Sequence, residues 1–169
     1  MVHILGELHL AHLVITIPGI SAVGAAASPA RRAEGQELAR AFFEAAAGGD
    51  MEALLGMLAP DVVVHGDGGG KAQVAARPPA GRQRVAGHLA GLLRRGRALG
   101  VSLRLAWVNG QPGAVAYDAA GRVISVFALD VAGGLVQAIR AVVNPDKLGH
   151  LGQVSDLARL PSTTDDESE

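Results

Sequence analysis

The sequence predicts a single α+β domain in which a curved antiparallel sheet is covered by three helices. Two observations carry that prediction. Apolar residues recur mainly at helical spacing up to residue 99, and then alternate with period two as far as residue 143. The alternating part is punctuated by hairpin signals, Asn109-Gly110 and Gly133-Gly134. Consecutive strands joined by tight turns pair antiparallel, and the helices that precede them are left to cover one face.

The elements follow in order. Met1 to Ala27 is apolar and contains His3, His9 and His12 but no Lys or Arg, so it lacks the basic start of a signal peptide. Glu7, Pro18 and Gly19 interrupt it as a membrane span. Residues 1–27 are expected to be a poorly ordered or mis-started extension, and 28–152 the folded domain. His9 and His12 stand three apart without a further partner at ligand spacing, so no metal site is expected there. Residues 28–60 read as two helices. Ser28-Pro29 caps the first, which Leu38, Ala41, Phe42 and Ala45 stripe and Gly48-Gly49 ends. Asp50 caps the second, with Met51, Leu54, Leu55 and Leu58 inward until Pro60.

Asp61 to His65 (DVVVH) reads as a strand leading into Asp67-Gly68-Gly69-Gly70-Lys71. Three consecutive glycines favour no regular element, so this is a loop with wide backbone freedom. A short extended piece at 72–77 and the breaker Pro78-Pro79-Ala80-Gly81 follow. Arg82 to Leu99 is the third helix, buried through Val85, Leu89, Leu92 and Leu93, with Arg84, Arg94 and Arg95 opposite. Strands are expected at Val101–Trp107, 113–118, Val123–Val131 and Leu135–Val143, ending at Asn144-Pro145-Asp146-Lys147-Leu148. Residues 153–169 close with PSTTDDESE, polar and acidic, and are expected to form a flexible tail.

Composition narrows the function. Aromatics make up 3% of the chain, so the core must be built from aliphatic residues and Ala. The net charge of −1 argues against direct nucleic-acid binding, and the basic face of the third helix lacks stacking aromatics. With no Cys, disulfides and thiolate chemistry are excluded. Of 15 basic residues only Lys71 and Lys147 are lysines. In a chain that otherwise uses Arg, a retained Lys marks a place where a compact point charge is wanted. Both lie beside an Asp and a Gly or Pro backbone device, which points to two functional loops. The glycine loop is not a phosphate loop, because Ala72 follows Gly70-Lys71 where a hydroxyl is needed and His65 stands where the first Gly should be. No cofactor is expected. Close approach of another protein's backbone suits the loop better.

Val62 to Lys71 (VVVHGDGGGK), Asn109 to Gly113 (NGQPG) and Asn144 to Leu148 (NPDKL) resemble the matching stretches of the SnoaL-like C-terminal extension in a group of extracytoplasmic-function sigma factors. The likeness runs from about Gln36 to Gly152. It implies a cone-shaped fold of the nuclear transport factor 2-like class and a cytoplasmic regulator that packs on sigma domains. By the same resemblance Asp67, Gly68, Gly69, Gly70, Lys71, Asn144, Pro145, Asp146 and Lys147 would form the contact surface. The departure is that no helix-turn-helix pattern is present, so this sequence cannot read a promoter itself. Either it acts in trans on sigma-factor domains or an RNA polymerase-associated protein, or it is a fragment of a longer chain.

The alternative is a cavity enzyme resembling polyketide cyclases and ketosteroid isomerases, in which a buried Asp or His moves protons. His65, Asp67 and Asp130 are the candidate bases, with Arg140 as electrostatic partner and Trp107 and Tyr117 as ligand walls. Alternation alone leaves open which face of the sheet Asp130 occupies. A hollow between sheet and helices would suit a small ligand. Pairing of two copies through the exposed sheet face is compatible with either function.

Overall fold

The computed structural model describes residues 13–15, 29–67, 79–143 and 145–153. The loop 68–71, the piece at 72–77, Asn144, the tail beyond Gln153 and all of 1–27 except Leu13–Ile15 lie outside the described residues.

Three helices form where the helical period is read. Helix α1 spans Pro29–Gly48 and α2 spans Met51–Met57, with the Asp50 side chain accepting a hydrogen bond from the Ala53 amide at 3.1 Å. That bond satisfies one of the amides a helix start leaves unpaired. Helix α3 spans Arg82–Ala98 and buries Val85, Ala86 and Leu89. Leu92 and Leu93 pack at its margin. Of the expected stripe on α1, Phe42 and Ala45 are buried and Leu38 packs against the core, but Ala41 is exposed and the buried face widens to include Ala39, Phe43 and Ala46. Met51 is also exposed, since the first turn of α2 projects past the core.

The strands are β1 (Leu13–Ile15), β2 (Leu58–Asp67), β3 (Ser102–Val108), β4 (Gln111–Tyr117), β5 (Val123–Ala132) and β6 (Leu135–Val142). They build one sheet in the order β1-β3-β4-β5-β6-β2. From β3 to β6 the pairing is antiparallel, as the turns require. The sheet as a whole is mixed, which corrects the uniformly antiparallel expectation, because β1 runs parallel to β3 and β2 parallel to β6. Alternation reports which side chains share a face and carries no information about strand direction. Strand β2 also starts earlier than Asp61, since Leu58 and Ala59 enter the sheet directly from α2. Register shifts between Leu58 and Val63, at Ala116/Tyr117 and at Asp130/Val131 bend the sheet.

Two apolar layers result. Leu103, Ala114, Ala116, Phe127, Leu129 and Ile139 meet the helices on one face. Phe43 lies against Phe42 edge to face at 5.2 Å and against Phe127 at 6.2 Å. On the opposite face Val115, Val126, Ala128 and Val142 are also buried, together with Ile15 and Leu148. Central strand β5 is therefore buried without a break from Ser125 to Leu129, the pattern of a strand covered on both sides.

At Gly35 of α1 an added Cβ would make ordinary contacts, 3.5 Å from Pro112 and 3.6 Å from Trp107. Gly35→Ala is expected to stabilise the fold by up to about 1 kcal/mol, the helix-propensity difference, measurable by denaturant titration.

Candidate functional site

The parallel pairing of β2 and β6 decides where the chain enters the two lysine motifs. Both strands run toward the same end of the sheet, and Asp67 stands in register with Val142. Asp67 opens the DGGGK segment, and Val142 lies two residues before Asn144 of NPDKL. The strands that lead into the two motifs thus end next to each other, although nearly eighty residues separate the motifs in the chain.

After β6 the chain forms a short helical turn, α4 (Pro145–Leu148), and a 3-10 turn, Gly149–Leu151. Leu148 is fully buried in the second apolar layer and Leu151 packs beside it. The Val123 amide donates to the Gln153 carbonyl at 2.8 Å, fastening the segment to the start of β5. Leu148 therefore anchors NPDKL, while Asp146 is exposed and Lys147 half-buried. The anchoring role was missed because a single Leu after a polar turn carries no periodic signal.

Of the enzyme candidates Asp67 opens the first motif, and the others fall elsewhere. Phe127 and Leu129 face the helices, so Asp130 occupies the other face of β5. Arg140 pairs across from Ala128 on β5 and from His65 on β2, which puts His65 and Arg140 on that same outer face. Asp130 accepts a hydrogen bond from Gln111 Nε2 at 3.0 Å. Gln111 is 5% exposed and its carboxamide oxygen is buried without a partner. Among the described residues the helix-lined side presents Phe42, Phe43, Leu54, Leu129 and Ile139. Trp107 lies on that side against Pro112 and α1, and Tyr117 packs on the second layer. Among the described residues no group of three or more His, Asp or Glu side chains could hold a metal ion. Among them, too, no helix is long and apolar enough to cross a membrane.

The NGQPG segment is accounted for residue by residue. Asn109 and Gly110 both take positive φ, 49° and 80°, as a two-residue hairpin turn requires. Gln111 binds Asp130, Pro112 packs by Trp107 near α1, and Gly113 lies against the β5 backbone. Its role in this fold is structural.

Comparison with known proteins agrees with this architecture. Residues 39–143 match the SnoaL-like domain family. The ECF RNA polymerase sigma factor SigJ of Mycobacterium tuberculosis is 35% identical over 118 residues, covering 66% of this chain and 38% of SigJ. The crystal structure of that extracytoplasmic-function sigma factor superimposes with a TM-score of 0.56 at 31% identity, over 76% of this chain and 48% of the other. An NTF2-like protein of unknown function from Mesorhizobium loti aligns at 18% identity, over 66% of this chain and 92% of its own, with a TM-score of 0.47. The chain thus spans well under half the length of the curated sigma factor that it matches.

Proposed function

This chain belongs to the SnoaL-like domain family, and on that footing we propose that it is a cytoplasmic regulator that modulates transcription initiation through protein contacts of the DGGGK and NPDKL segments. Its homology to SigJ supports a sigma-factor context. The partner is a set of sigma-factor domains or an RNA polymerase-associated protein. One observation carries the reading: the parallel register of Asp67 with Val142, which starts both motifs from one end of the sheet. Two lysine point charges with adjoining carboxylates can then act on one partner surface, and the glycines let a partner backbone approach closely. Such charge pairs orient a complex and raise its rate of formation more than they raise its affinity.

Hydrogen exchange tests this assignment. Adding the sigma-domain fragment of SigJ is expected to slow exchange at residues 66–71 and 145–149 while leaving α3 unchanged. Protection confined to the outer face around His65, Asp130 and Arg140 would contradict it.

A further inference from the structure

Two exposed helix ridges carry opposite charge at the same spacing. On α1, Glu34, Glu37, Ala41, Glu44 and Gly48 recur at three- and four-residue intervals opposite the buried face, and all are exposed. On α3, Arg84, Gly87, Gly91, Arg94 and Ala98 recur at the same intervals, with His88 and Arg95 beside them. All of these are exposed except Gly91, which is half-buried. A Cβ added at Gly87 or Gly91 would meet no atom within 4 Å, so the ridge is open among the described residues. Arg97 falls off it, and Arg82 turns inward, its Nε donating to the Leu58 carbonyl at 3.0 Å. Arg31, Arg32 and Arg40 fall to the sides of the α1 ridge. Among the described residues none of Glu34, Glu37, Glu44, Arg84, Arg94 and Arg95 has an ion-pair partner. Partial burial, and then the guanidinium of Arg95, hold the His88 imidazole below its ordinary pKa. At neutral pH the positive charge of this ridge therefore comes from arginine alone.

We propose that these ridges bind a second copy of this chain, α1 of each copy lying on α3 of the other about a two-fold axis that runs along the helices. Helix α1 packs beside α3, and both ridges point away from the sheet, so neither can neutralise the other within one chain. The two helices also run the same way. Gly35 stands by Pro112 at the start of β4, and Phe43 by Phe127, which pairs with Ala114 further along. Arg82 opens α3 beside Leu58, whose partner Val136 lies at the same end of the sheet as Gln111, while Gly100 past its end stands by Ala119, beyond β4. A two-fold axis along the helices keeps their direction and exchanges their positions. It sets Glu34 of one copy opposite Arg84 of the other and Glu44 opposite Arg94, with Ala41 on Gly91 between them. The outer charges on each ridge are about 15 Å apart, so both ends meet at once. The small central residues let the helix axes approach closely. Single exposed ion pairs are weak, but the symmetry repeats each of them. Met51, just past α1, and Leu99, just past α3, are the exposed large hydrophobics among the described residues, and this pairing brings them to the same end of the contact. Neither ridge contains a residue of DGGGK or NPDKL, so the inference stands apart from the sigma contact.

Sedimentation equilibrium of the full-length chain at about 0.05 M salt, where the Debye length is about 14 Å, reads the pairing directly. Wild type is expected to dimerise reversibly, and to lose at least about tenfold in dimer affinity at about 0.5 M salt, where that length is about 4 Å. Glu34→Arg, Glu37→Arg and Glu44→Arg together make both ridges basic. Arg84→Glu, Arg94→Glu and Arg95→Glu together make both acidic. Each reversed variant is expected to stay monomeric at concentrations where wild type pairs, and an equal mixture of the two to form a heterodimer. All six positions are exposed, and circular dichroism checks that the variants fold. If a reversed variant unfolds, Glu34→Gln, Glu37→Gln and Glu44→Gln together must still weaken the dimer. A wild type that stays monomeric, a dimer unmoved by salt, or a folded mixture that does not pair would each overturn the proposal. A reversed variant that dimerises alone as tightly as wild type would assign the contact to another face and overturn it equally.

Discussion

Gly113→Ala is expected to cost about 3 kcal/mol or more, at or beyond the upper end for overpacking a close-packed site. Gly113 lies in β4 directly opposite Ala128 of β5. A Cβ there would overlap the Phe127 carbonyl oxygen and stand 3.1 Å from Val108 Cγ2. The obstructing atom is backbone in a strand buried on both sides, so it cannot swing away as a side-chain tip would. Relief requires β4 and β5 to separate, which breaks the ladder joining the middle of the sheet. Total stability of a domain this size is commonly about 5–15 kcal/mol, so much of it would be lost. Thermal unfolding followed by circular dichroism reads the effect directly. A melting temperature within a degree or two of the parent would show that the strands have slack there.

Asp118→Ala should be the next most damaging change. Asp118 is buried and closes the turn between β4 and β5. Its Oδ1 accepts from the amides of Ala120 and Arg122, each at 2.9 Å, and its Oδ2 accepts from Arg122 Nε at 3.0 Å. Truncation removes the acceptor from two turn amides and one guanidinium at once, a loss of about 2–3 kcal/mol. Asp118→Asn keeps an oxygen for the two amides and gives up mainly the ionic contact with a partly exposed Arg, worth about 1 kcal/mol. Chemical denaturation of the two variants separates these contributions. Equal losses would mean that the ion pair, rather than the turn amides, holds the loop.

How much of this was legible depended on the kind of signal. Helical spacing marked Phe42, Leu54, Val85 and Leu89 as core, and all four are buried. Asn109-Gly110 marked a hairpin, and the backbone angles there are those of such a turn. The stripe on α1 was placed slightly off because Ala occurs on several of its faces, and an Ala-rich helix gives a broad apolar pattern. The burial of Val115, Val126 and Ala128 behind the sheet was illegible, since small aliphatic residues on an outer strand face read as ordinary alternation. The pairing of Leu13–Ile15 with Ala106–Val108 was missed because three residues in an apolar run carry no period. Asp130 could be assigned to the face opposite Phe127, but only the helices' position shows which face that is. The adjacency of the strand ends that lead into the two lysine motifs was also beyond the sequence, because it follows from the parallel direction of β2 and β6.

The central claim is that the segments leaving β2 and β6 at one end of the sheet form the contact with sigma domains. The most direct test is the affinity of the SigJ sigma-domain fragment for this protein, measured by calorimetry. Wild type is compared with Lys71→Ala and Lys147→Ala combined, and with Arg84→Ala as a surface control. The account predicts binding by wild type and by the control, and a loss of at least about tenfold in the double variant, equivalent to about 1.4 kcal/mol. Well-folded wild type that does not bind, or a double variant that binds as tightly as wild type, would contradict it.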